Sequence, residues 1–367
     1  MSADPVKVLI VDDSALYRQS IQNVLRDVET VKIVGSAKNG IEALDKIEQL
    51  DPDLLTLDVQ MPDMDGIELL TEIKRRNLKP GAIMVSSHTS EGAQVTTDAL
   101  MQGAFDFILK PSSGDPHANR DTLQHALTEK IIAFRDSRAC REPRLVPESA
   151  PSVFDSTVAW QPSTIPRSVC RAIVIGTSTG GPEALRIVLP RLTDELQVPV
   201  FVVQHMPSQY TKTLARRLNQ YCALEVTEAS DNSEVGPGQI VIAPGGRQMK
   251  LESDGSRLLT KITDDPHEHG VRPAVDYLLR SASNVVNGDM LAVIMTGMGR
   301  DGRAGCRQLK DSGGFVFAQS PEDSVVFGMP KAVIEAGLAD RVLTLGKIAP
   351  AILRHVKRSR RAQKGIS

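Results

Sequence analysis

The sequence predicts an α/β protein with two doubly wound domains, each built on a parallel sheet. Short apolar segments alternate with segments of helical periodicity in both halves of the chain, which is typical of βαβ units. The chain has 367 residues, more than the roughly 250–300 residues at which single cores stop growing. A segment without regular pattern, residues 137–168, contains five prolines and separates the two halves.

We therefore expect a first domain over residues 1–136, a proline-rich linker over 137–168, a second domain over 169–353 and a basic tail over 354–367. Apolar residues make up 41% of the chain and charged residues 24%, a balance typical of soluble globular proteins. No apolar run approaches the roughly 20 residues that span a bilayer, and the first residues lack the pattern of a secretory leader. We expect a cytoplasmic protein without membrane insertion.

The first domain is predicted to contain five strands, at residues 6–11, 31–34, 54–57, 83–87 and 105–109. Helical patterns follow the strands at residues 14–25, 40–50, 67–76 and 118–134. Ligands of such sheets bind beyond the carboxyl ends of the strands, so the polar residues at those ends are candidate site residues.

Carboxylates follow two of these strands. Asp12 and Asp13 come after the first strand, Asp58 after the third, and Lys110 after the fifth. Converging carboxylates repel one another unless a cation lies among them, and Mg²⁺ prefers oxygen ligands of this kind. With a lysine and the hydroxyl of Ser86 nearby, such a site is equipped to transfer a phosphoryl group to a carboxylate.

These strand ends, and the Met61-Pro62-x-Met64-Asp65-Gly66 loop, resemble the response-regulator receiver domain, a flavodoxin-like fold, over about residues 5–136. The resemblance implies that Asp58 is the phosphoacceptor and that the peptide bond before Pro111 is cis. It also implies that Mg²⁺ is held by Asp12, Asp13, Asp58 and the backbone carbonyl of Gln60. The switch and phosphate-sensing residues that it implies are Ser86, Phe107 and Lys110.

In the second domain, predicted strands at residues 173–175, 198–203, 240–243 and 290–295 each lead into a polar or glycine-rich loop. Gly176-x-Ser178-x-Gly180 follows the first of them and fits the spacing of a nucleophile elbow. An anion-cradling loop with a capping serine is the alternative that this motif alone leaves open. A base and an acid elsewhere in the chain are needed to decide.

His205 and Asp301 provide that base and acid, since each lies just past a predicted strand, as Ser178 does. The imidazole would accept the serine proton, and the carboxylate would fix the tautomer of the ring. The oxyanion would be bound by backbone N–H groups at Thr179 and Met298. The order Ser, His, Asp differs from that of the α/β-hydrolase fold, which we therefore do not expect.

Over about residues 169–353 the chain resembles the CheB-type protein-glutamate methylesterases of bacterial chemotaxis. The matching motifs are Gly176-x-Ser178-Thr179-Gly180-Gly181-Pro182, Gln204-His205-Met206-Pro207, Ile242-Ala243-Pro244-Gly245, Arg272-Pro273-x-Val275-Asp276, Thr296-Gly297-Met298-Gly299-x-Asp301-Gly302 and Val326-Phe327-Gly328-Met329-Pro330. The resemblance implies a Ser178, His205 and Asp301 triad that hydrolyses γ-glutamyl methyl esters of chemoreceptors, releases methanol and deamidates receptor glutamines. It further implies no cofactor in the esterase site, a chemotaxis histidine kinase as phosphodonor, and an unphosphorylated receiver that covers the active site.

Four alternatives remain open at this point. His267-Glu268-His269 could hold a metal together with His205, although the spacing is not H-E-x-x-H. Residues 354–364 contain six basic residues and no acid, and could contact nucleic acid or anionic lipid, or form a solvated end. Receivers also drive DNA-binding domains, but the chain lacks a helix-turn-helix pattern, so we expect no nucleic acid partner. The fourth alternative is a binding module whose active site has lost its activity, and only rate measurements exclude it.

Overall fold

The computed structural model describes residues 4–87, 89–141, 169–255 and 257–364, and the chain divides into two compact units between Ala139 and Cys140. Most of the predicted linker, residues 142–168, lies outside the described residues. Within the described part of the chain, no helix combines the length and the apolar character that crossing a membrane requires.

The first unit alternates strands and helices. Its strands are β1 (Val6–Val11), β2 (Val31–Ala37), β3 (Leu54–Asp58), β4 (Gly81–Ser86) and β5 (Asp106–Leu109). Its helices are α1 (Ala15–Leu25), α2 (Gly40–Leu50), α3 (Gly66–Arg75), α4 (Ser90–Met101) and α5 (Pro116–Arg141). The strands pair in parallel in the order β2-β1-β3-β4-β5, which confirms the predicted flavodoxin-like sheet.

Local sequence signals explain where these helices begin and end. The side chains of Ser14 and Asn39 cap α1 and α2 by accepting backbone N–H groups, and Asp65 forms a capping box with Glu68 at the start of α3. Helix α5 extends to Arg141, beyond the predicted end of the first domain at residue 136, because no glycine or proline interrupts its last turns.

The second unit is built on a larger sheet. Its strands are β6 (Ala172–Thr177), β7 (Val200–Gln204), β8 (Glu225–Glu228), β9 (Ser233–Glu234), β10 (Gln239–Ile242), β11 (Gln248–Asp254), β12 (Arg257–Thr263), β13 (Met290–Ile294), β14 (Phe315–Gln319) and β15 (Arg341–Leu343). Its helices are α6 (Gly181–Val188), α7 (Ser208–Asn219), α8 (Val275–Val286), α9 (Arg303–Asp311), α10 (Met329–Glu335) and α11 (Leu345–Lys364). Residues 354–364 of the predicted tail therefore form the second half of α11.

The seven-stranded parallel sheet has the order β15-β14-β13-β6-β7-β10-β8, and β11, β12 and β9 form a separate antiparallel sheet. From β6 the chain passes to β7, then to the edge strand β8, and back to β10 between β8 and β7, before it crosses to the other side of β6 as β13. Open sheets of this kind bind ligands at the switch point, beyond the carboxyl ends of the two strands where the direction changes. Strands β6, β7 and β13 are buried along their full length, so this switch point lies in a rigid core.

Candidate functional site

Ser178 is the first residue after β6, at the switch point of the larger sheet. Its N–H donates to the carbonyl of Thr296, just past β13, at 3.0 Å, and its carbonyl accepts the N–H of Gly181 at 2.8 Å. The positive φ of +76° falls on Gly180, which caps α6, and Ser178 is not among the residues with positive φ. Gly180 therefore makes the sharp part of the turn, as the Gly-x-Ser-x-Gly spacing allows.

The side chain of Gln204 holds this turn in place. Its Oε1 accepts the hydroxyl of Thr177 at 2.7 Å, and its Nε2 donates to the carbonyl of Ser178 at 2.9 Å. A Cβ atom on Gly181 would lie 1.9 Å from Gln204 Oε1, so a side chain there would displace the Gln204 amide that holds the turn. The motif that contains Gln204 does not by itself indicate this role, which depends on the packing of β7 against the turn.

His205 lies next to Ser178 because the parallel register of β6 and β7 pairs Thr177 with Gln204, the residues just before them. Its Nε2 atom is 2.8 Å from Oδ2 of Asp301, and its side chain is 10% exposed. When Nε2–H donates to the carboxylate, Nδ1 carries the lone pair that can accept the serine proton. The described hydrogen bonds do not include one between Ser178 Oγ and His205, and such bonds often form only in the substrate complex.

Asp301 is fixed by backbone donors as well as by His205. Its carboxylate accepts the N–H groups of Val275 at 2.7 Å, Asp276 at 2.8 Å and Gly302 at 2.8 Å. Burial acts to raise the pKa of Asp301, but the hydrogen bond from His205 and the backbone donors outweigh it and hold the pKa below its usual value. The carboxylate is therefore ionised and suited to stabilise an imidazolium.

The glycine-rich turn after β13 approaches the serine closely. A Cβ atom on Gly297 would lie 2.8 Å from Ser178 Cβ and 3.1 Å from Ser178 N. This approach places the peptide between Gly297 and Met298 beside the serine, where a second oxyanion donor is required. The other predicted donor, Thr179, is buried, and its carbonyl accepts the hydroxyl of Thr296 at 2.9 Å.

The alternative metal site at His267-Glu268-His269 is not supported by these contacts. It requires His205 as a ligand, yet Nε2 of His205 is bound to Asp301. The ligand atoms of His269, Asp276 and Asp301 do lie within 4.8 Å of one another. Each oxygen of Asp301 already accepts two N–H groups, so hydrogen bonding accounts for its position.

The first unit brings the predicted phosphoacceptor, Asp58, together with the acidic and basic residues predicted around it. Oxygen atoms of Asp12, Asp13 and Asp58 lie within 4.8 Å of one another at the carboxyl ends of β1 and β3. Nζ of Lys110 is 2.9 Å from Asp58 and 3.0 Å from Asp12. Burial and the nearby Asp12 raise the pKa of Asp58 to about 6, although Lys110 opposes this. Three carboxylates and one ammonium leave an excess of two negative charges, which fits a divalent cation.

The remaining predicted receiver residues lie on β4 and β5. Ser86 ends β4, next to the strand of Asp58, and its buried Oγ accepts the hydroxyl of Thr96 on α4 at 2.8 Å. Phe107 is half-buried on β5. The expected cis bond before Pro111 is wrong, since among the described residues the cis peptide is Arg272–Pro273. Lys110 reaches both carboxylates with the more stable trans bond.

Comparisons with known proteins give the same two-part division. A family model described as CheB methylesterase matches residues 173–352, and one described as response regulator receiver domain matches residues 8–120. A protein-glutamate methylesterase/protein-glutamine glutaminase of Desulfotalea psychrophila is 44% identical over 360 residues, covering 96% of this chain and 99% of the relative. A protein of the same name from Nocardioides sp. is 42% identical over 359 residues, and the match covers 97% of this chain and 96% of that relative. The solved CheB methylesterase catalytic domain of Thermotoga maritima is 43% identical, with a TM-score of 0.49, and the match covers 50% of this chain and 97% of that one.

Proposed function

The chain belongs to the CheB methylesterase family and carries a response-regulator receiver domain, and we infer that it is a receiver-controlled protein-glutamate methylesterase. The observation that carries this inference is the position of Ser178 beside the His205–Asp301 pair at the switch point of the larger sheet. We propose that its substrates are γ-glutamyl methyl esters of chemoreceptors and that it acts in the cytoplasm.

In the proposed reaction, Ser178 Oγ attacks the ester carbonyl while Nδ1 of His205 accepts the hydroxyl proton. Asp301 holds the imidazole in the required tautomer and stabilises the imidazolium. The N–H groups of Thr179 and Met298 bind the oxyanion. His205 then gives its proton to the departing methoxide, so methanol leaves and an acyl-serine remains. Water activated by His205 hydrolyses this ester, which releases glutamate and regenerates the serine.

The same residues would also deamidate receptor glutamine. The amide carbonyl takes the place of the ester carbonyl, and His205 protonates the leaving nitrogen, so ammonia departs instead of methanol. The acyl-serine is identical in the two reactions, and so is its hydrolysis. Support for this second activity comes from the double name of the relatives.

We propose that phosphorylation of Asp58 by a chemotaxis histidine kinase relieves inhibition by the receiver. Mg²⁺ would be held by Asp12, Asp13, Asp58 and the backbone carbonyl of Gln60, and it would neutralise the charge of the incoming phosphoryl group. Lys110, already bonded to Asp58, is placed to bind a phosphoryl oxygen. Ser86 and Phe107 would transmit the change to the surface of the receiver.

The test is the initial rate of methanol release from methyl-esterified receptor fragments, with and without Mg²⁺ and a small-molecule phosphodonor. We expect a low rate that rises when both are present. Ser178→Ala should lower the rate by at least about 1,000-fold and leave Asp58 phosphorylation intact. Asp58→Asn should keep the basal rate and lose the activation. No release from phosphorylated wild-type protein would contradict the proposed function.

A further inference from the structure

His269 occupies a tight turn that does not favour histidine. The N–H of Glu268 donates to the carbonyl of Val271 at 3.1 Å, and the reverse bond is 2.9 Å, so residues 268–271 close on themselves. The two central residues, His269 and Gly270, have φ values of 52° and 76°. Two successive positive φ values are typical of a type I′ turn, where asparagine, aspartate and glycine are preferred. A histidine kept in this conformation indicates a use for its side chain.

The imidazole of His269 contacts a buried carboxylate. Its Nε2 is 2.8 Å from Oδ2 of Asp276, which is 1% exposed, and 4.0 Å from Oδ1 of Asp301. The turn itself is attached to α8 by an ion pair between Glu268 and Arg280. His267, the other histidine of the tract, is exposed, as His269 is. What distinguishes His269 is the contact of its imidazole with the buried carboxylate of Asp276.

Asp276 connects His269 to the catalytic carboxylate. Its backbone N–H donates to Oδ1 of Asp301 at 2.8 Å, while its own Oδ1 accepts the N–H of Gly305 on α9 at 2.6 Å. One residue thus binds Asp301 through its backbone and His269 through its side chain. A displacement of the Asp276 side chain would move the first turn of α8, which also supplies the Val275 N–H to Asp301.

Without the imidazole, the Asp276 carboxylate would lose its partner on the solvent side. Burial and the neighbouring Asp301 already raise the pKa of Asp276, so a second buried charge is tolerated here only with donors around it. The N–H of Gly305 would remain as the donor to its other oxygen. Repulsion between the two carboxylates would then act directly on the first turn of α8.

We propose that His269 is a positioning residue for the esterase reaction. Through Asp276 it holds the first turn of α8 and thereby keeps Asp301 aligned with His205. This inference rests on the proposed function, because its effect is on the rate of that reaction. It assigns a role to the His-Glu-His tract that requires no metal.

The test compares three variants of the full chain in the methanol-release assay. His269→Asn suits the positive φ but is too short to reach Asp276, whereas His269→Gln restores an amide donor at similar reach. His267→Ala is the matched control from the same tract. We expect His269→Asn to lower kcat by about tenfold, equivalent to about 1.4 kcal/mol, with KM changed by less than about twofold. His269→Gln should recover most of kcat, and His267→Ala should behave as wild type.

Thermal unfolding separates positioning from stability. His269→Asn should still unfold in one cooperative transition near the wild-type temperature, because the gain from asparagine in the turn offsets part of the lost bond to Asp276. A wild-type kcat in His269→Asn would overturn the inference, as would a kcat loss that His269→Gln fails to recover. Absence of methanol release from the wild-type enzyme would instead contradict the proposed function, so the two failures are distinguishable.

Discussion

Nε2 of His205 lies 2.8 Å from Oδ2 of Asp301, although 96 positions separate the two residues in the chain. The bond joins the end of β7 to the loop that follows β13, and Ser178 at the end of β6 lies between these two strands in the sheet. A parallel sheet thus assembles the three residues from distant segments without any of them needing a long loop. Asp301 also accepts N–H groups from the first turn of α8, so its orientation depends on a fourth segment.

Asp301→Asn should lower kcat by about 10,000-fold while leaving the fold intact, because an amide can stabilise the wrong tautomer of His205. The measurement is kcat for methanol release together with the unfolding temperature. Asp289→Asn, which changes a carboxylate outside the site, is the control and should retain the wild-type kcat. A kcat for Asp301→Asn within about tenfold of wild type would remove Asp301 from the triad.

The three proposed triad residues could be singled out from the sequence because each lies in the segment that follows an apolar strand. Ser178 and His205 come directly after their strands, and Asp301 lies in the loop beyond β13. Ser178, His205 and Asp301 all lie beyond strands that the structure buries completely, and burial of both faces is what makes such strands readable as apolar runs. The same reasoning predicted the cluster of Asp12, Asp58 and Lys110 that the receiver forms.

The parts that could not be predicted depend on contacts between loops. The bond from Gln204 to the Ser178 carbonyl and the contact of His269 with Asp276 arise only when separate segments pack together. Neither contact leaves a periodic pattern or a characteristic residue spacing in the sequence. Six strands of the second unit also escaped prediction: β8, β9, β11, β12, β14 and β15. Two of them, β8 and β15, are short, lie at the sheet edges and are only partly buried.

Asp58→Asn should stabilise the receiver at neutral pH when Mg²⁺ is absent. The pKa of Asp58 is about 6 in the folded protein, above the value of about 3.9 for an unfolded aspartate. The folded state therefore binds more protons between about pH 4 and 6, and its stability falls as pH rises through this window. Above pH 6 the buried charge of Asp58 lowers the free energy of unfolding of the wild type by its full amount, and asparagine removes this effect.

Thermal unfolding of the full chain from pH 4 to 8 measures this effect. The variant should unfold at a higher temperature than wild type above pH 6, and the difference should shrink toward pH 4. Added Mg²⁺ should stabilise the wild type more than the variant. Asp45→Asn on the exposed side of α2 is the control and should not reproduce the pattern. If the difference in unfolding temperature between Asp58→Asn and the wild type did not vary with pH, the charge of Asp58 would not be its cause.

Gly297→Ala should impair the esterase because no space exists for a methyl group beside the serine. The added Cβ would lie 2.4 Å from Sδ of Met329 and 2.8 Å from Cβ of Ser178, so the turn or the serine must move. A displacement of about 1 Å costs on the order of 100-fold in rate, and we expect kcat to fall by about that factor. Gly236→Ala is the control, since its nearest neighbour would be an ordinary 3.6 Å away. A Gly297→Ala enzyme with wild-type kcat would show that the Gly297–Met298 peptide does not bind the oxyanion.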